Sequence, residues 1–130
     1  MRDFQFGTFL VLTGLAMSAL AAGARAQEVR NYTGSVLAGQ QIRFDTWLNF
    51  EEGTCHDRGY SIIVLRTPPA LGHISLKRVK VRSKTGPCAN IPLSAVHVLY
   101  KAAGRSGVDV FNYGVQGGVA VIVNATVTVK

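Results

Sequence analysis

The chain has 130 residues, 14 Lys and Arg against 7 Asp and Glu (formal net charge +7), and is 48% hydrophobic. That length holds one domain with its own core and excludes two, and the apolar content excludes a disordered chain. A basic balance points either to anionic partners or to plain solubility.

Residues 1–26 read as a secretory signal peptide. Arg2 supplies an n-region charge, an apolar stretch runs from Phe4 to Ala22, and Ala24-Arg25-Ala26 ends in a small-x-small cleavage site. A membrane anchor is the competing reading. Gly14, Ser18 and Gly23 interrupt the stretch, however, and it is short for a ~20-residue span. The expected mature domain is 27–130, periplasmic or secreted, with no transmembrane segment once the signal is cleaved. Removing Arg2, Arg25 and Asp3 leaves 12 basic and 6 acidic residues, a net charge of +6.

Cys55 and Cys88 are the only cysteines, and an even count in an exported chain predicts one disulfide. Closing that loop stabilises the fold by roughly 3–4 kcal/mol on the chain-entropy model. Zinc would have to recruit His56 and His97, and no Cys-x-x-Cys or His-x-x-x-His spacing supports it.

The mature chain shows period-two alternation broken by turn residues. Gln41 to Phe50 is the first expected strand, with Ile42, Phe44 and Leu48 around Trp47. Tyr60 to Arg66 carries Ile62-Ile63-Val64-Leu65, a run that predicts a strand buried on both faces. Pro68-Pro69 ends it, because proline donates nothing to a ladder. His73 to Arg82 is a longer strand, with Ile74 and Leu76 on one phase and Val79 and Val81 on the other. That change of phase predicts a bulge near Lys77-Arg78.

Ala95 to Tyr100 and Val108 to Val115 follow. Gly117-Gly118 then predicts a tight hairpin turn. In the last strand the odd positions from Val119 to Val129 form an apolar face, while Asn124, Thr126, Thr128 and Lys130 face away. About seven such strands predict an all-β antiparallel β-sandwich.

From Thr67 onward the chain resembles bacterial cadherin-like, immunoglobulin-like repeat domains. Thr67-Pro68-Pro69-Ala70-Leu71-Gly72-His73-Ile74 is similar to their Pro-x-x-Gly strand start. Val98-Leu99-Tyr100-Lys101-Ala102-Ala103-Gly104 is similar to their Tyr-x-Pro-x-x-Gly segment, with Ala102 in place of proline. Gly107-Val108-Asp109-Val110-Phe111-Asn112-Tyr113 fits their Gly-x-Asp-x-Phe-x-Tyr signature. The resemblance implies an immunoglobulin-like sandwich and a binding role. It does not bring calcium with it, because Asp109 is the only acid in the last half of the chain.

Physically, Phe111, Tyr113 and Tyr100 are expected in the core, and Asp109 is expected to accept backbone N–H bonds at a strand start.

Lys77-Arg78-Val79-Lys80-Val81-Arg82-Ser83-Lys84 is the segment that looks directed at a partner. On a strand, Arg78, Lys80, Arg82 and Lys84 share one side, spaced ~6.6–7 Å apart, with Val79 and Val81 turned inward. The alternatives are a polyanion-binding stripe and a solvated, aggregation-resistant strand face. No aromatic side chains interleave the charges, so an anionic polysaccharide or lipid headgroup fits better than nucleic acid.

Glu51, Glu52 and Asp57 beside His56 read as an exposed loop rather than a catalytic pair, and Asn31-Tyr32-Thr33 and Asn124-Ala125-Thr126 fit the glycosylation sequon, a coincidence if the source is bacterial, as the resemblance implies. Neither His73 nor His97 has a sequence-adjacent Ser or Asp partner, and no Gly-x-Ser-x-Gly or phosphate loop appears. The expectation is a non-enzymatic module with no cofactor, contacting an envelope protein or glycan, or a polyanion through the basic strand.

Overall fold

A computed structural model describes residues 27–117 and 120–130. The expected signal peptide, and Gly118 and Val119 of the expected hairpin turn, lie outside the described residues.

Nine strands form two packed sheets and a small hairpin. They are β1 (Gln27–Val36), β2 (Gln41–Leu48), β3 (Phe50–Glu51), β4 (His56–Asp57), β5 (Ile62–Thr67), β6 (Gly72–Val81), β7 (Leu93–Ala102), β8 (Gly107–Gln116) and β9 (Ala120–Val129). One sheet has the order β1-β9-β8-β5, the other β2-β7-β6, and β3 pairs with β4 alone. All pairings are antiparallel except β1 with β9. The fold is an all-β sandwich of seven long strands and one two-residue hairpin.

The core lies between the sheets, and the alternation of β8 and β9 builds it. Phe111, Tyr113, Val115, Val121, Val123, Ala125, Val127 and Val129 point inward against Val98, Tyr100 and Ala102 of β7. Tyr100 stacks on Phe111 with ring centroids 5.5 Å apart, and Phe44 meets the other side of Phe111 at 5.5 Å. Asp109 sits buried at the start of β8. Its Oδ1 accepts the Ala70 N–H at 2.7 Å, and its Oδ2 accepts the Leu71 N–H at 2.9 Å and the Tyr100 hydroxyl at 2.6 Å. The carboxylate thus ties the Pro-Pro turn to the aromatic core. Gly72 follows that turn because a Cβ there would strike the Lys101 carbonyl and come within 2.8 Å of the Tyr100 ring.

Three expectations need correction. First, β6 has no bulge at Lys77-Arg78, since its register with β7 runs unbroken from Gly72↔Ala102 to Val81↔Leu93. The apolar phase changes because the sheet changes which of its faces is covered. Ile74 faces the aromatic core, whereas Val81 and its neighbour Leu93 lie on the opposite face, beneath the loop that carries Cys88. The bulges lie instead at Phe44 in β2 and Arg66 in β5.

Second, β5 is not buried on both faces. It is an edge strand paired only with β8, and Ile62, Val64 and Leu65 are exposed while Ile63 packs inward. A short apolar run is the same in an edge strand as in a central one.

Third, β1 has no counterpart among the expected strands. Its inward positions are Arg30, Tyr32, Gly34 and Val36, a set too polar and too small to give an alternating apolar signal.

The Cys55–Cys88 disulfide is formed, with Cα atoms 5.5 Å apart. It joins the β3–β4 hairpin to the loop after β6 and points to an oxidising compartment. No helix among the described residues is long and apolar enough to cross a membrane.

Candidate functional site

The basic run of β6 does not stay on one free surface. Arg78 and Lys80 share the sheet face of Ile74 rather than that of Val79 and Val81. The Arg78 guanidinium lies 4.9 Å from the centre of the Tyr60 ring, and Lys80 lies 5.8 Å from it. Lys80 Nζ also donates to Asp57 at 3.2 Å and to the Ser94 hydroxyl at 2.9 Å.

Asp57 is heavily used. Besides Lys80, it accepts from the Ser94 hydroxyl at 2.7 Å, the Ser94 N–H at 3.1 Å and the Gly59 N–H at 2.9 Å. These bonds, the Ser94 hydroxyl's first, hold its carboxyl well below the usual range. Arg82 lies past the end of β6 and donates to the Asn90 carbonyl at 2.6 Å, while Lys84 sits in the exposed loop beyond. The structure therefore divides the four residues: Arg78 and Lys80, both exposed, lie on the Ile74 side of edge strand β6 with partners in this chain, and Arg82 and Lys84 lie in the loop.

The opposite face of the same sheet gathers a second set of cations. The pairing of β2, β7 and β6 lays out rows across three strands. Gln41, Lys101 and His73 form one row, Arg43, Leu99 and Ser75 the next, and Thr46, His97 and Lys77 the third. Neighbouring strands are ~4.8 Å apart and successive rows ~6.8 Å, so Arg43, Lys77, Lys101 and the two imidazoles occupy one patch of sheet.

His97 Nδ1 lies 2.8 Å from the Thr46 hydroxyl. Desolvation, then the charges of Arg43 and Lys77 on the neighbouring strands, lower its pKa. None of the six acids among the described residues belongs to this face. Asp45 bonds the Tyr113 hydroxyl between the sheets, Asp109 is buried, Glu28 pairs with Arg30, and Glu51, Glu52 and Asp57 stay near the disulfide.

Sequence reasoning missed this group because Arg43, Lys77, His97 and Lys101 come from three strands. Only the strand pairing brings them together. The available signal was the odd phase of His73 and Lys77 on the expected strand.

At the other end of this sheet, an apolar cleft of about 410 Å³ is lined by Leu48, Phe50, Val81, Pro87, Cys88 and Leu93, with Glu52 and Arg82 also lining it. Its walls are mostly hydrocarbon, and Glu52 and Arg82 are the charged side chains along them. The expected acidic loop is engaged in local bonds: Glu51 accepts from Thr54 at 2.6 Å and pairs with Arg58 at 3.3 Å. Among the described residues no group of three or more His, Cys, Asp or Glu is placed to hold a metal ion.

Comparison with protein-family models, with curated proteins and with solved structures gives no match to this chain.

Proposed function

We propose that this chain is an exported binding module that holds an anionic glycan or lipid phosphate of the cell envelope on the cationic face of β2-β7-β6. One observation carries the reading: Arg43, Lys77, Lys101, His73 and His97 share a sheet face with no carboxylate. Such a patch attracts polyanions over distances near the Debye length and meets a repeating charged polymer at several points.

The immunoglobulin-like, cadherin-like reading is supported by strand order. Among the seven long strands, the second, fifth and fourth form one sheet, and the seventh, sixth and third the other. That is the arrangement of an immunoglobulin sandwich, with the first strand moved beside the seventh. The Cys55–Cys88 disulfide supports a place outside the cytoplasm.

The test is binding of the oxidised protein to immobilised lipopolysaccharide and to heparin over a salt series. The triple variant Arg43→Gln/Lys77→Gln/Lys101→Gln is compared with Arg78→Gln/Lys80→Gln/Arg82→Gln/Lys84→Gln. Binding that falls steeply with salt and is lost in the triple variant, but largely kept in the quadruple one, is the expected result. Loss in the quadruple variant alone would return the site to the basic run of β6. Equal binding by all three proteins would sink the polyanion reading.

A further inference from the structure

The outer face of the four-stranded sheet contrasts with the cationic one. Its rows run across β1, β9 and β8, and two of them are Thr33, Thr126, Val110 and Asn31, Asn124, Asn112. Asn124 donates to the Asn31 side chain at 3.2 Å, and Asn112 accepts the Thr67 N–H at 3.1 Å. Among the described strand positions that point outward here, Arg66 is the single ionisable side chain. In a chain of net charge +7, so large a surface with a single charge needs a reason, because charged side chains normally keep exposed sheets apart.

Apolar exposure concentrates on the same face. Val29, Ile62, Val64, Val108 and Val110 make up five of the nine large hydrophobic residues exposed among the described residues, with Val108 at 64% and Val110 at 62%. Depletion of charge with retained apolar and amide groups is the composition of an interface centre, not of a solvated sheet.

We infer that this face is a two-fold interface on which a second copy of the chain docks, sheet against sheet. Charge selects the occupant. Two copies repel through their net charge and through the Arg43, Lys77 and Lys101 face, and this surface, with Arg66 as its one charge, is the one on which they approach with the fewest apposed like charges. Chemistry agrees, since the Asn amides and Thr hydroxyls both donate and accept, so a row of them is complementary to itself across a two-fold axis.

Size agrees as well. Strands of ten residues at ~3.4 Å per residue, in four strands at ~4.8 Å, cover roughly 500–600 Å² once the shorter β5 is allowed for. Two copies would bury about 1,000–1,200 Å², at the lower limit for a specific, weak dimer. The dimer would leave both cationic faces pointing outward, on opposite sides.

Sedimentation velocity from micromolar to near-millimolar protein tests this, at low and high salt. The expected result is a concentration-dependent dimer that tightens as salt screens the repulsion. Polyanion binding would respond to salt in the opposite sense, so the two readings fail separately. Val110→Lys, at an exposed position, and Thr126→Lys, one strand away, should each weaken the dimer by about tenfold or more, because both place a charge against its own symmetry copy. Circular dichroism melts confirm that both variants remain folded, and the charge-neutral Ser75→Thr on the opposite face serves as the control with an intact dimer. A monomer at all concentrations, a dimer that weakens with salt, or a dimer untouched by both Lys variants would each overturn the inference.

Discussion

The two ends of the three-stranded sheet solve burial in opposite ways. At the end formed by Gly72, Tyr100 and Ala102, the inner face carries the aromatic core and the outer face is bare and cationic. At the end formed by Val81, Leu93 and Leu48, the outer face holds the apolar residues, covered by loops that the disulfide ties together. There the inner face carries Arg78, Lys80 and Ser94, bonded to Tyr60 and Asp57. β7 passes through both ends and is buried along nearly its whole length. One end is closed by packing of the aromatic core, while at the other the disulfide ties the β3–β4 hairpin to the loop after β6.

The largest effect should come from the packed end. Phe111→Ala removes the ring between Phe44 and Tyr100 and should cost about 3–5 kcal/mol in a denaturant titration. A loss near that of an ordinary exposed substitution would mean that the two ends share the load equally.

Replacing both cysteines, Cys55→Ala with Cys88→Ala, should cost roughly 3–4 kcal/mol and act unevenly. Amides of β3, β4 and the Val79–Val81 stretch should exchange by local opening, while those of Tyr100 and Phe111 follow global unfolding. Uniform exchange across the domain would break the distinction between the ends.

The smallest effect lies on the cationic face. His97 has its pKa lowered in the fold, so the unfolded chain takes up the proton first. The resulting stability is present above the ordinary value of 6.5 and is lost as pH falls below it. His97→Gln should flatten that slope in thermal melts between neutral and mildly acidic pH. A bound polyanion offsets Arg43 and Lys77 and favours the imidazolium, so binding should tighten as pH falls through the same window. Binding that weakens there would exclude His97 from the site.

Much of the core was legible in sequence, for a physical reason. Phe111, Tyr113 and the valines of β9 alternate cleanly because β8 and β9 are central strands with one face in the core. Asp109 was readable as a backbone acceptor from its residue type, but its donors, Ala70 and Leu71, come from the distant Pro-Pro turn, which only the tertiary structure brings to it. β5 was misread, since Ile62 to Leu65 has the composition of a central strand yet lies at an edge. β6 was misread because a change of buried face leaves the same sequence trace as a bulge. β1 left no trace, as Arg30 and Gly34 occupy its inward positions.

By itself, the sequence determined the fold class, the disulfide and the aromatic centre, because these depend on neighbours along the strand and on residue type. Only the tertiary structure decided which surfaces are basic and which are neutral. A sheet face is assembled from residues far apart in the chain, and its charge is set by register. Arg43, Lys77 and Lys101 are unremarkable in three separate strands, and the pairing of those strands makes them one patch.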